Sequence, residues 1–185
     1  MLRTAVLLLD LQVDFLDMQH GRMPVDPEGA RRVVEAANAI LKGELLEGSL
    51  PVLVVNQFPP TATVANFFRS NAALVGSSGS AIDPRIVETQ DVRIFPKQQA
   101  NAFTNPELEP YLRSEGVGTV WVVGVFAEGC VRATALDAKR RGFEVTVPAA
   151  EIATNASWKA GFAAWALKRG GVAMVPSLRA APSAA

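Results

Sequence analysis

One cysteine, one aspartate and one lysine stand where a folded chain could set them to work on a carbonyl. Cys130 is the single cysteine. It follows the apolar run Thr119 to Gly124 (TVWVVG) and closes the stretch Val125-Phe126-Ala127-Glu128-Gly129-Cys130, where a buried strand is expected to turn into a helix. The unpaired N–H groups of a helix's first turn carry partial positive charge, which favours a thiolate and a developing oxyanion alike. The backbone N–H groups around Ala127 to Cys130 are therefore candidates for an oxyanion hole, because fixed donors stabilise tetrahedral charge without reorganising. Asp10 closes the run Ala5 to Leu9 (AVLLL), and Lys97 follows Val92 to Phe95 (VRIF). Both then lie at C-terminal strand ends, the edge at which open parallel sheets bind ligands. A free cysteine is by default a small inert hydrophobe. Two ionisable residues at the same edge turn the reading toward a nucleophile.

The elements that must position these residues alternate along the chain. Strands are expected at Ala5 to Leu9, Val52 to Asn56, Val92 to Phe95, Thr119 to Gly124, Glu144 to Val147 and Val172 to Val175, most of them apolar on both faces as buried parallel strands require. Between them, Pro27 to Leu46 carries Ala30, Val33, Val34, Ala37, Ile40 and Leu41 on one helical stripe. Pro106 to Ser114, Glu128 to Arg141 and Ala156 to Arg169 read the same way, with Asn105 as a cap for the first and Gly142 as a stop for the second. Right-handed crossovers then build a three-layer α/β/α, doubly wound, mostly parallel six-stranded sheet. The Rossmann phosphate loop is absent, since Asp10-Leu11-Gln12-Val13-Asp14 replaces G-x-G-x-x-G after the first strand. Gln57 to Gly79 reads as a long excursion over the active edge, a lid or substrate wall. Residues 1–175 read as one domain and Pro176 to Ala185 as a frayed tail.

Composition narrows the class. With 185 residues, 49% hydrophobic and 19% charged, the chain can bury one sizeable core. Eighteen basic and eighteen acidic side chains cancel, leaving no general attraction to nucleic acid or anionic membrane. One cysteine excludes an internal disulfide and suits a reducing compartment, so a cytoplasmic location is expected. Asp10 and Asp14 interrupt the N-terminal apolar run too early for a signal-peptide core or a membrane span.

These residues resemble the isochorismatase-like cysteine hydrolases, a family of nicotinamidases, ureido-acid and biuret amidohydrolases, and isochorismatases. The blocks that carry the likeness are Asp10-Leu11-Gln12-Val13-Asp14-Phe15, Phe95-Pro96-Lys97 with Ala102-Phe103, and Gly124 through Cys130-Val131 with Thr134-Ala135-Leu136-Asp137-Ala138. The resemblance puts an Asp-Lys-Cys triad on Asp10, Lys97 and Cys130 and implies hydrolysis of a small amide, ureide or related C–N substrate through a thioester. Asp10 would serve as the base, while Lys97 would lower the thiol's pKa and keep Asp10 ionised. It also implies a cis peptide at Val125-Phe126, no cofactor, a small-molecule substrate as partner, and a homo-oligomer, dimer or tetramer. The alternatives are cleavage of a vinyl ether, against which the presence of Cys130 argues, and a non-catalytic ligand- or protein-binding role.

The chain also departs from that family. Nicotinamidases place an Asp-x-His metal site after the second strand, where this chain has Asn56-Gln57-Phe58, so no metal is expected. Ala127 and Asn101 replace residues that are often Thr and Ser. Gln12 and Asp14 are candidates for orienting the site, with a turn cap as Asp14's competing role. Phe15, Phe103 and Phe126 are candidate pocket walls that could equally be core. Glu128 is a candidate substrate contact, although an acid in a helix's first turn is already favourable. Asn101 is a further candidate substrate contact. His20, the sole histidine, reads as a surface loop residue. Trp158 and Trp165, about two turns apart, read as core packing, with a subunit interface as the competitor.

Overall fold

The computed structural model describes residues 2–87 and 89–180. Its sheet runs β3 (Arg93–Lys97), β2 (Leu50–Asn56), β1 (Arg3–Leu9), β4 (Val117–Val125), β5 (Glu144–Pro148), β7 (Ala173–Val175), with the two-residue β6 (Ile152–Ala153) beside the end of β4. Every pairing is parallel. The sixfold expectation therefore gains a seventh strand; two residues are too short to show any period in sequence.

Period two decides which face each strand residue serves. Ala5, Leu7 and Leu9 of β1 pack into one core with Leu108 and Leu112 of α4 (Leu108–Ser114), Ala135 and Ala138 of α5 (Arg132–Arg140), and Leu167 of α6 (Ser157–Arg169). Val6 and Leu8 pack into the other with Phe15 and Leu16 of α1 (Val13–Leu16) and the apolar stripe of α2 (Pro27–Leu41). Each such fully buried Leu or Val contributes about 1.5–3 kcal/mol. The two cores make three layers around the sheet.

Helix ends follow local chemistry. Asp26 caps α2 by accepting from the Gly29 N–H at 2.7 Å, with Pro27 at the first helical position. The helix stops at Leu41, short of the expected Leu46. Gly43 takes φ 73°, its N–H donates to Ile40 and the Glu44 N–H to Ala39, so a Schellman turn closes the helix. The helix expected from Glu128 instead begins with a π-helical turn, Ala127–Val131, before α5.

Two further expectations are corrected. The start of the expected tail is anchored at two points: Leu178 is buried and its N–H donates to Glu151 Oε2 at 3.1 Å, and Pro176 O accepts from the Ala150 N–H. Residues 181–185 of the expected tail lie outside the described residues. Trp158 and Trp165 are not core, because they stand 71% and 59% exposed on the outer face of α6. The excursion after β2 holds a short helix, α3 (Thr63–Phe68), and is pinned: Asp14 Oδ2 accepts from the Ala73 N–H at 2.7 Å and Phe58 N–H donates to Ala73 O. Among the described residues no helix is long and apolar enough to cross a membrane.

Candidate active site

Strand order reverses between β1 and β4, so the helices following them diverge and leave a crevice at the strand ends. Register carries three side chains to that level: Leu9 pairs with Val54 and Gly124, and Asn56 pairs with Lys97. Asp10 follows β1, Asn56 ends β2, Lys97 ends β3, and Cys130 sits in the π-helical turn after β4.

The side chains meet on one nitrogen. Lys97 Nζ donates to Asp10 Oδ2 at 3.0 Å, to Asn56 Oδ1 at 2.6 Å, and contacts Cys130 Sγ at 3.2 Å. Asp10, Asn56, Lys97 and Cys130 are all buried. Asp10 Oδ1 is also buried and has no donor among the described residues, which leaves a lone pair open to a proton. Asp10 itself sits at φ 58°, a left-handed backbone that Asp and Asn tolerate better than most residues.

Burial dominates the electrostatics. The Asp10 carboxyl is raised by desolvation, which the Lys97 charge opposes. Lys97 loses hydration too, but Asp10 and Cys130 outweigh that loss and hold its pKa up, so it stays an ammonium. The Cys130 thiol is pushed up to about 12 by desolvation and by the Asp10 charge, with Lys97 pulling the other way. Lys97 lowers the thiol's pKa as expected, and desolvation with the Asp10 charge outweighs it.

The turn that carries Cys130 is fixed by its backbone. The Val125–Phe126 peptide is cis. Phe126 O accepts from the N–H groups of Gly129 at 3.0 Å and Val131 at 3.2 Å. Gly129 is thus already engaged, and the candidate oxyanion donors narrow to Ala127, Glu128 and Cys130. Gly124 takes φ +126° against Leu9, where a Cβ would overlap the Leu9 carbonyl oxygen, so only glycine lets β1 and β4 close up at the site.

Above Cys130 lies a cavity of about 230 Å³ walled by Phe15, Phe58, Arg69, Phe126, Glu128 and Lys159, with Asn56 and Cys130 also exposed to it. Phe15 and Phe126 meet edge to face at 5.5 Å. Glu128 Oε1 pairs with Lys159 at 3.3 Å. Four sequence candidates sit away from this cavity. Gln12 is buried beneath it, its Nε2 donating to Asn56 O and Ser80 O and its Oε1 accepting from the Asn56 N–H at 2.8 Å, so it positions the end of β2. Asn101 turns to Asp137 at 2.8 Å, and Phe103 stacks on Phe143 in the core. Asp14 holds loops, accepting from Arg22 and Ala73 N–H groups. Phe58, Arg69, Asn155 and Lys159 carry no sequence signal; they arrive from the excursion and from the start of α6.

Known proteins match this arrangement of sheet and site. The isochorismatase domain model matches residues 4–174, and the chain belongs to that family. It is 43% identical over 54 residues to maleamate amidohydrolase of Pseudomonas putida and 39% identical over 67 residues to N-carbamoylsarcosine amidase of an Arthrobacter species. Those stretches cover 29% and 36% of this chain and only 25% of each relative. A pyrazinamidase of Pyrococcus horikoshii in complex with zinc superposes with a TM-score of 0.79 at 27% identity, covering 94% of this chain and 98% of that one.

The residues here do not fit a metal at the Asp-x-His position of the resemblance. Asn56 Oδ1 is committed to Lys97, and Phe58 lies under the Arg69 guanidinium at 3.9 Å. His20 is on the surface beside Asp17. Among the described residues no three His, Cys, Asp or Glu side chains gather as ligands.

Proposed function

We propose that the protein is a cysteine amidohydrolase that cleaves a small amide, ureide or related C–N bond through a thioester on Cys130, without a metal. The observation that carries this reading is the contact of Lys97 Nζ with both Asp10 and Cys130 on the floor of a cavity, beside the open oxygen of Asp10.

In the first half-reaction Asp10 takes the thiol proton as Sγ bonds to the substrate carbonyl carbon. Proton transfer is coupled to attack, since a free thiolate is costly in this buried site. The raised Asp10 carboxyl brings its basicity nearer to that of the thiol. Oxyanion charge falls toward the N–H groups of the Ala127–Cys130 turn, and the Lys97 ammonium holds Asp10 and sulfur in place. Collapse breaks the C–N bond, Asp10 returns its proton to the departing nitrogen, and ammonia or an amine leaves. Water, deprotonated by Asp10, then attacks the thioester carbon, and the proton returns to sulfur as the acid product forms.

Acid-quenched intact-mass spectrometry during ammonia release from a panel of small amides tests this. An acyl adduct on Cys130 and loss of turnover in Cys130→Ala are expected. Turnover that persists in Cys130→Ala would refute covalent catalysis.

A further inference from the structure

Arg69 follows α3 and is half-buried against the cavity. Its guanidinium lies 3.9 Å from the centre of the Phe58 ring, and both side chains line the wall. Stacking of this kind holds the planar fork in place while leaving its N–H edges to bond in plane. Among the described residues no carboxylate pairs with Arg69. The other cation of the walls, Lys159, is already occupied by Glu128 at 3.3 Å and Asn155 Oδ1 at 2.7 Å, and Lys97 is committed on the floor.

We propose that the substrate is a small amide whose far end carries a carboxylate, and that Arg69 takes that carboxylate; this rests on the amidohydrolase reading. A guanidinium matches a carboxylate with two parallel charge-assisted bonds, and the half-buried setting strengthens them over those in water. The opposite charge fixes the substrate's direction. Glu128 lines the same cavity with a buried Oε2 that lacks a donor among the described residues. It repels an anion and would accept a substrate N–H, so the carboxylate belongs at Phe58 and Arg69 and the amide end at Cys130. Size agrees: the cavity of about 230 Å³ has room for two functional groups joined by a short spacer.

The test uses matched probes in the full chain: succinamate against butanamide, and N-carbamoylglycine against N-propylurea. Ammonia release is expected to favour the carboxylated member of each pair, and Arg69→Met should lower its kcat/KM about 10- to 100-fold, mostly through KM, while changing the neutral member less than about two-fold. Calorimetric titration of succinamate into Cys130→Ala, with and without Arg69→Met, reads recognition without turnover. Arg69-dependent binding of succinamate with no hydrolysis of any probe in the wild type would uphold Arg69 as the carboxylate site and sink the hydrolase reading with the substrate assignment that rests on it. Equal hydrolysis of charged and neutral probes would do the reverse. The assignment is also overturned if the loss follows Lys159→Met instead, or if Arg69→Met binds succinamate as the parent does.

Discussion

Replacing Asp10 by Asn should make Cys130 more reactive and the enzyme nearly inactive. Asn is close in shape, keeps an acceptor for Lys97 and tolerates φ 58°, so the backbone has no reason to move. Cys130 Sγ and Asp10 Oδ2 lie 3.2 and 3.0 Å from the same Nζ, which separates them by no more than about 6 Å. At an effective dielectric of ~20 their charges repel by about 3 kcal/mol, or ~100-fold in thiolate population. A less basic thiolate is also less nucleophilic, which returns roughly a factor of ten. Alkylation by iodoacetamide near pH 7.5, followed by intact mass, should therefore run about ten-fold faster in Asp10→Asn than in the wild type. Ammonia release should fall about 10²- to 10⁴-fold with loss of the base. Alkylation no faster than wild type, in a variant whose melting temperature is unchanged, would show that Asp10 does not hold the proton on sulfur.

Lys97→Met should strip the buried cation from Asp10 and abolish most turnover. Asp10's folded pKa is raised, so its contribution to stability is fully present below the unfolded value of 3.8 and is lost as pH rises through the folded value. Without Lys97 that loss extends to higher pH, and urea melts should show the variant about 3–5 kcal/mol less stable near pH 8 and closer to wild type near pH 5. Gln12→Leu removes the partner of the buried Asn56 N–H and C=O and of the half-buried Ser80 carbonyl, so thermal melts should fall by about 5–10 °C, with kcat reduced more than KM is raised. Gly124→Ala forces a side chain onto the Leu9 carbonyl at φ +126°; a melting temperature within about 2 °C of wild type would contradict the close approach of β1 and β4.

Much of the site was legible because strand ends are legible. Asp10, Lys97 and Cys130 each follow an apolar run, and a parallel sheet brings such positions to one edge whatever the loops do. Asn56 was visible only as a departure from a metal-binding pattern; its bond to Lys97 depends on a register that one sequence does not state. Arg69 and Lys159 were not legible, since a charged residue in a loop or on a helix is usually a solvated one and only tertiary packing turns it inward. The thiol's balance was half legible for a related reason: the lowering by Lys97 can be read from sequence, whereas the desolvation that outweighs it belongs to the fold. Trp158 and Trp165 show the same limit, because helical spacing puts them on one stripe without saying whether that stripe meets the sheet.

The depth at which Cys130 sits bears on how the protein ages under oxidants. Peroxide and similar reagents attack thiolates, and the path to sulfinic acid begins with a sulfenate on an exposed, ionised sulfur. Cys130 is only 8% exposed, and burial pushes its thiol up to about 12. On the proposed mechanism the sulfur ionises only as its substrate is attacked, and a nucleophile of that kind escapes much of the damage to which permanently activated cysteines are prone.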